Sequence, residues 1–176
     1  MKWRAFIYQG KTYDLSHLDP FIWSYAAIAS GERPGYSYKF QVRFSLHCFT
    51  REPSPEQRIA KDLLYRGPKE TRVFCFERYE LSHRLPAIID ALEHRECYRT
   101  HRGNLFVIEP IVREEKEEEY EVYFQIPKTT ISGRGKKRLN LIVQSAYLRR
   151  EGYGTTQPRK ELVSLNEIAR KKLRRK

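Results

Sequence analysis

Cysteine is scarce in this chain, and the three present, Cys48, Cys75 and Cys97, are odd in number and widely spaced. A disulfide framework is not expected, and a reducing cytosol, hence a cytoplasmic location, fits this usage. Paired metal-ligand spacing is also lacking. His47, Cys48, Cys75, Cys97 and His101 form neither Cys-x-x-Cys nor His-x-x-x-His, so buried free thiols are expected and no metal site. Gly133-Arg134-Gly135 has no downstream Gly-Lys-Ser/Thr, which argues against a nucleotide-hydrolysing engine; no cofactor signature is present. No apolar run approaches the roughly 18 residues of a membrane span. The opening Met1-Lys2-Trp3-Arg4-Ala5-Phe6 reads as a short strand without an apolar signal core, so neither a membrane span nor export is expected.

What is abundant is positive charge on a chain able to fold. The 176 residues are 40% apolar and 13% aromatic, enough to bury a core, and 32% charged. That length suits one domain, read as residues 1–156, with residues 157–176 as a basic helical tail. Lys and Arg number 34 against 22 Asp and Glu, a net charge of +12, and such an excess favours a polyanionic partner, nucleic acid above all. Half of it lies in residues 159–176, where Arg159, Lys160, Arg170, Lys171, Lys172, Arg174, Arg175 and Lys176 face only Glu161 and Glu167. Between Glu109 and Glu121 the sign reverses: seven glutamates face Arg113 and Lys116. That segment is either a solvated hairpin tip or an acidic turn that repels phosphate or fills a basic groove. Gly133-Arg134-Gly135-Lys136-Lys137-Arg138 is a flexible cationic loop, suited to phosphate contact through Arg134, Lys136, Lys137 and Arg138.

Periodicity predicts an α+β fold: an antiparallel sheet or meander on one or two helices, with a strand-rich N-terminal elaboration and a basic C-terminal helix. Residues 2–8 and 12–15 flank Gln9-Gly10-Lys11 as a hairpin. From Tyr36 to His47, Tyr38, Phe40, Val42, Phe44 and Leu46 alternate with Lys39, Gln41, Arg43, Ser45 and His47, a half-buried strand whose outer face aligns Lys39, Arg43 and His47 as a phosphate track or a plain solvent face. Ser54-Pro55 is read as the start of a short helix carrying Ile59, Leu63 and Leu64. Arg72 to Phe76 follows as a strand, and Ser82 to His94 as a helix with Pro86 in its first turn. Asn104 to Val112, Tyr120 to Ile126 and Leu139 to Leu148 make three consecutive strands. Ser164-Leu165-Asn166-Glu167 opens the last helix as a capping box, its Leu165, Ile168, Ala169 and Leu173 lying on one side. This helix either docks on the core or is a mobile arm. Both versions present Arg170, Lys171, Arg174 and Arg175 to a polyanion.

Metal-free RNA cleavage needs a base, an acid and cationic donors for the phosphorane. The candidate catalytic residues are His83, His101, Tyr123, Gln144, Ser145, Tyr147 and Arg149. Alternation from Gln144 places Ser145, Tyr147 and Arg149 on one face. If the meander curls against the helix, His101, Tyr123, Tyr147 and Arg149 meet; each is equally readable as a packing or surface residue.

Tyr13-Asp14-Leu15-Ser16-His17-Leu18-Asp19-Pro20-Phe21, Phe44-Ser45-Leu46-His47-Cys48-Phe49-Thr50, Phe76-Glu77-Arg78-Tyr79-Glu80-Leu81-Ser82, Tyr120-Glu121-Val122-Tyr123-Phe124 and Val143-Gln144-Ser145-Ala146-Tyr147-Leu148-Arg149 are stretches in which the chain resembles bacterial stationary-phase growth adaptation proteins. A helix with Leu85-Pro86 before a three-strand meander is similar in topology to the barnase, colicin and RelE-like ribonuclease fold. With the charge and the cysteine usage pointing to a cytosolic, RNA-engaging protein, these resemblances add stress or mobile-element biology and, in the sharpest form, a toxin-like endoribonuclease working without metal. The alternatives are a non-enzymatic nucleic-acid-binding module and an adaptor or antitoxin-like protein partner using the acidic segment.

Overall fold

The computed structural model describes residues 2–27, 35–53, 58–101, 103–113, 115–127, 139–149 and 158–174. The chain opens with β1 (Phe6–Tyr8) and β2 (Lys11–Tyr13), joined through Gln9 and Gly10 at φ 47° and 75°. Positive φ at both positions gives the tight turn whose twist matches its strands. There follow β3 (Phe21–Ala27), β4 (Tyr36–Phe44), β5 (Thr50–Arg51), β6 (Leu64–Arg66), β7 (Thr71–Phe74), α1 (Phe76–Ser82) and α2 (Leu85–Asp90). Then come β8 (Cys97–Arg99), β9 (Leu105–Arg113), β10 (Lys116–Gln125), β11 (Leu139–Arg149), β12 (Glu161–Val163) and α3 (Leu165–Arg174).

The class is α+β. A seven-stranded sheet runs β12-β8-β9-β10-β11-β4-β3, beside a three-stranded sheet β5-β7-β6 and the β1-β2 hairpin. Every neighbouring pair in the large sheet is antiparallel except β11 with β4, which is parallel in a register that sets Leu141 beside Val42. Strand alternation supplies the core: Tyr38, Phe40, Val42 and Phe44 are buried while Lys39 and Arg43 are exposed. The same cluster takes Val122 and Phe124 from β10, Leu141, Val143, Ala146 and Leu148 from β11, and Leu85, Ile88 and Ile89 from α2. Each such enclosed aliphatic or aromatic side chain contributes roughly 1.5–3 kcal/mol relative to exposure.

Several local expectations are corrected. The alternating strand stops at Phe44, because the Ser45 hydroxyl accepts from the His47 N–H at 3.1 Å and starts a 3-10 turn over Leu46–Cys48. His47 therefore leaves the line of Lys39 and Arg43, and its Nε2 lies 2.7 Å from Glu70. Residues 54–57 lie outside the described residues; beyond them Leu63 ends a 3-10 turn and Leu64 begins β6, where a helix was expected. The interior helix starts earlier, at Phe76, and is broken at His83-Arg84. Pro86 has no N–H to give to the carbonyl of Ser82, so α1 ends there and α2 starts afresh with the proline in its first turn. The seven-residue β3 and the short β8 and β12 had no sequence reading.

Along β11 the alternation changes phase. Val143 faces Phe124 and Ser145 faces Tyr123, which leaves Gln144 as the extra residue of a bulge. Before it the odd-numbered side chains are buried, after it the even-numbered Ala146 and Leu148. At the C-terminal end, the Glu167 N–H donates to the Ser164 hydroxyl at 3.3 Å, and Leu165 and Ala169 are buried. The Tyr38 hydroxyl reaches Asn166 at 3.0 Å, so α3 docks on the core, while β12 extends the sheet beside β8.

Candidate nucleic-acid interface

The polar face of β10 and β11 gathers three of the expected catalytic residues around one that the sequence reading missed. Arg149 Nε and Nη2 donate to the two Glu121 carboxylate oxygens at 2.8 and 2.7 Å, and Glu121 is fully buried. Tyr123 donates its hydroxyl to Glu121 at 2.8 Å, and Arg149 Nη2 lies 3.2 Å from the Tyr147 hydroxyl. The tyrosine rings stack at 5.6 Å, and Arg78 sits 5.3 Å over the Tyr147 ring. Burial, aided by hydrogen bonds with Tyr147 and Glu121, drives the Tyr123 phenol far above its ordinary range. The hydrogen bonds that Arg149 donates to Glu121 hold its guanidinium more firmly charged against partial desolvation. Ser145 and Gln144 are half-buried at the bulge beside this network. Alternation gave a faithful view of Tyr147 and Arg149, but the sequence carried Glu121 as one more member of an acidic run.

The histidines lie elsewhere. His101 is exposed in the turn between β8 and β9. His83, at the break between α1 and α2, stacks on His17 with ring centroids 3.8 Å apart, and Tyr79 meets both rings edge-on. His17 Nε2 is 2.7 Å from the buried Ser82 hydroxyl. Desolvation, followed by the proximity of His83, lowers His17 to about 4 against the pull of Asp14, so it is neutral at pH 7. The expected convergence of His101 with Tyr123, Tyr147 and Arg149 is thus replaced by two distinct clusters: Glu121 with Arg149, and His17 with His83.

Among the basic candidates, Lys39 and Arg43 are exposed on β4, Lys171 is exposed on α3 and Arg170 is half-buried. Arg174 ends α3, while Arg134, Lys136, Lys137, Arg138 and Arg175 lie outside the described residues. A cleft of about 420 Å³ opens between the β8–β9 turn, the end of β10 and α3. Its cations are Arg99, Lys171 and Lys172, its amides Asn104 and Gln125, and its apolar floor Leu105, Ile126 and Ile168; none of the described residues lining it is acidic. Lys171 makes no ion pair among the described residues, and Arg99 stands 3.9 Å from Glu161. Gly103 completes the turn at φ 80°, with open space where a side chain would project, so the backbone there is approachable. The glutamate-rich end of β10 does not discharge this cleft. Glu119 lies about 20 Å along the strand from Gln125. Glu119 meets Lys160 at 3.4 Å, Glu109 is hydrogen-bonded to Arg95, and Glu121 is neutralised by Arg149.

All three cysteines are free; burial raises Cys48 and Cys97 to about 12, and Cys75 is half-buried. Among the described residues, no cluster of three His, Cys, Asp or Glu side chains is placed to hold a metal, and no helix is long and apolar enough to cross a membrane.

Fold and site together define an α+β protein with a mostly antiparallel seven-stranded sheet, an internally neutralised polar face and a cation-lined cleft. The chain belongs to the YjaZ family, whose sequence model matches residues 5–173. It is 36% identical over 149 residues to Protein YjaZ of Escherichia coli strain K12, an alignment covering 83% of this chain and 79% of that one. No solved structure matches. These findings correct both resemblances drawn from the motifs: the family is YjaZ, and nothing in the comparisons supports a stationary-phase growth adaptation family or a ribonuclease fold.

Proposed function

We propose that this YjaZ-family chain is a nucleic-acid-binding module of the bacterial cytoplasm that engages RNA through the cleft between the β8–β9 turn and α3. The observation that carries the reading is the composition of that cleft: Arg99, Lys171 and Lys172 beside Asn104 and Gln125, with no acidic residue among the described lining. Phosphates are drawn to such a surface and bases find hydrogen-bonding amides in it. The net charge of +12 and the distance of the glutamate segment from Gln125 support the same reading. Three unpaired cysteines agree with a cytosolic setting. A cleavage role draws no support from the geometry, since His101 stands apart and Arg149 is engaged by Glu121. An adaptor role through the acidic segment would fall to its exposed tip at Glu115 and Glu117, since Glu109, Glu119 and Glu121 are already in ion pairs.

The test is binding of the full chain to a labelled single-stranded RNA, followed by fluorescence anisotropy over a salt titration. Engagement of three phosphates by Arg99, Lys171 and Lys172 predicts a slope of log K against log salt near roughly −2. Absence of binding at low salt, or affinity indifferent to salt, would overturn the proposal.

A further inference from the structure

The shape and chemistry of the cleft specify more than a charge preference. The cleft is a concavity of about 420 Å³ with Leu105, Ile126 and Ile168 beneath the charges. Leu105 and Ile126 are buried and Ile168 is half-buried, so the floor is apolar and set by the core itself. Two side-chain amides, Asn104 and Gln125, stand at its wall, and neither has a hydrogen-bond partner among the described residues. Asn104 uses only its main chain locally, exchanging hydrogen bonds with Thr100, so its amide group is available. Gln125 is the last residue of β10, fixed by pairing with Ile142. An apolar floor with unused amides at its wall is made for a planar heteroaromatic group with polar edges, and the cations at the rim for the phosphates attached to it.

Resting on the reading that this cleft binds RNA, we infer that its ligand is a single-stranded segment, one unpaired nucleotide of which enters the cleft. The base lies against Leu105, Ile126 and Ile168 with its edge toward Asn104 and Gln125, and the flanking phosphates meet Lys171 and Arg99. Duplex RNA does not satisfy the same groups. Its base edges are engaged in pairing, its major groove is too narrow for side chains, and only its backbone reaches the cationic rim.

The experiment compares a fluorescein-labelled single-stranded RNA with a blunt duplex containing the same strand, both titrated with the full chain at one salt concentration. Wild type, Gln125→Ala and Lys171→Ala are measured, each checked for an unchanged thermal transition. The single strand is expected to bind about tenfold tighter than the duplex, the advantage of one base edge hydrogen-bonded by the two amides. Gln125→Ala weakens the single strand by roughly threefold to tenfold, as loss of base-edge hydrogen bonds requires, and leaves the duplex unchanged. Lys171→Ala weakens both. Duplex binding as tight as single-strand binding, or a Gln125→Ala loss equal for the two, overturns this inference while leaving RNA binding intact; no binding of either RNA overturns both.

Discussion

Glu121 on β10 and Arg149 on β11 form a two-point ion pair in which the carboxylate is fully buried and the arginine side chain is 15% exposed. Removing one partner strands the other in a poorly solvated site, at a cost of about 3–5 kcal/mol. Arg149→Leu is therefore expected to lower the urea midpoint severely. The pair Glu121→Leu and Arg149→Leu together should destabilise less than the sum of the two single changes. Chemical denaturation of the two singles and the double checks this, and strict additivity would contradict the ion pair as the organiser of that sheet face.

His17 gives acid sensitivity a definite sign. Its ordinary value of 6.5 in the unfolded chain falls to about 4 in the fold, chiefly by desolvation. Between these values the unfolded chain binds the proton more readily. The contribution of a neutral His17 is complete above about pH 6.5, declines as pH falls, and is fully lost below about pH 4. A His17→Gln chain should show a flatter melting temperature than wild type from pH 7 to pH 4.5. Parallel curves would contradict the assignment.

Tyr120 is wholly buried on β10, and its hydroxyl has no hydrogen-bond partner among the described residues. Desolvation drives this phenol far above its ordinary range. A buried hydroxyl without a partner costs about 1–3 kcal/mol, so Tyr120→Phe should leave stability unchanged or raise it. A fall in the melting temperature would show that the hydroxyl is satisfied within the fold.

Local patterns in the sequence were the legible ones. The alternation of Tyr38, Phe40, Val42 and Phe44, the meander of β9 to β11 and the Ser164 cap all follow from period and propensity within one segment. What escaped reading depends on distant partners. Parallel pairing of Leu141 with Val42 crosses more than half of the chain, and the stack of His17 on His83 joins two segments with no shared motif. The three-residue strands β8 and β12 exist because β8 pairs with β9 and β12 in turn with β8, and such lengths carry no period of their own. Gln144 shows the limit within a segment: one extra residue at the bulge reverses which side chains face the core. For the site, Lys171 was named from charge alone, whereas Arg99, Asn104 and Gln125 join it only through the placement of α3 against the β8–β9 turn.

The most direct measurement is RNA affinity of two charge reversals made in parallel, Lys171→Glu in the cleft and Lys39→Glu on the outer face of β4, both exposed positions. With RNA seated in the cleft, Lys171→Glu lowers affinity at least about tenfold and flattens the salt slope by ~1 to 2 units, while Lys39→Glu has the smaller effect. Equal losses from both changes, or a loss from Lys39→Glu alone, would contradict the cleft as the site of engagement.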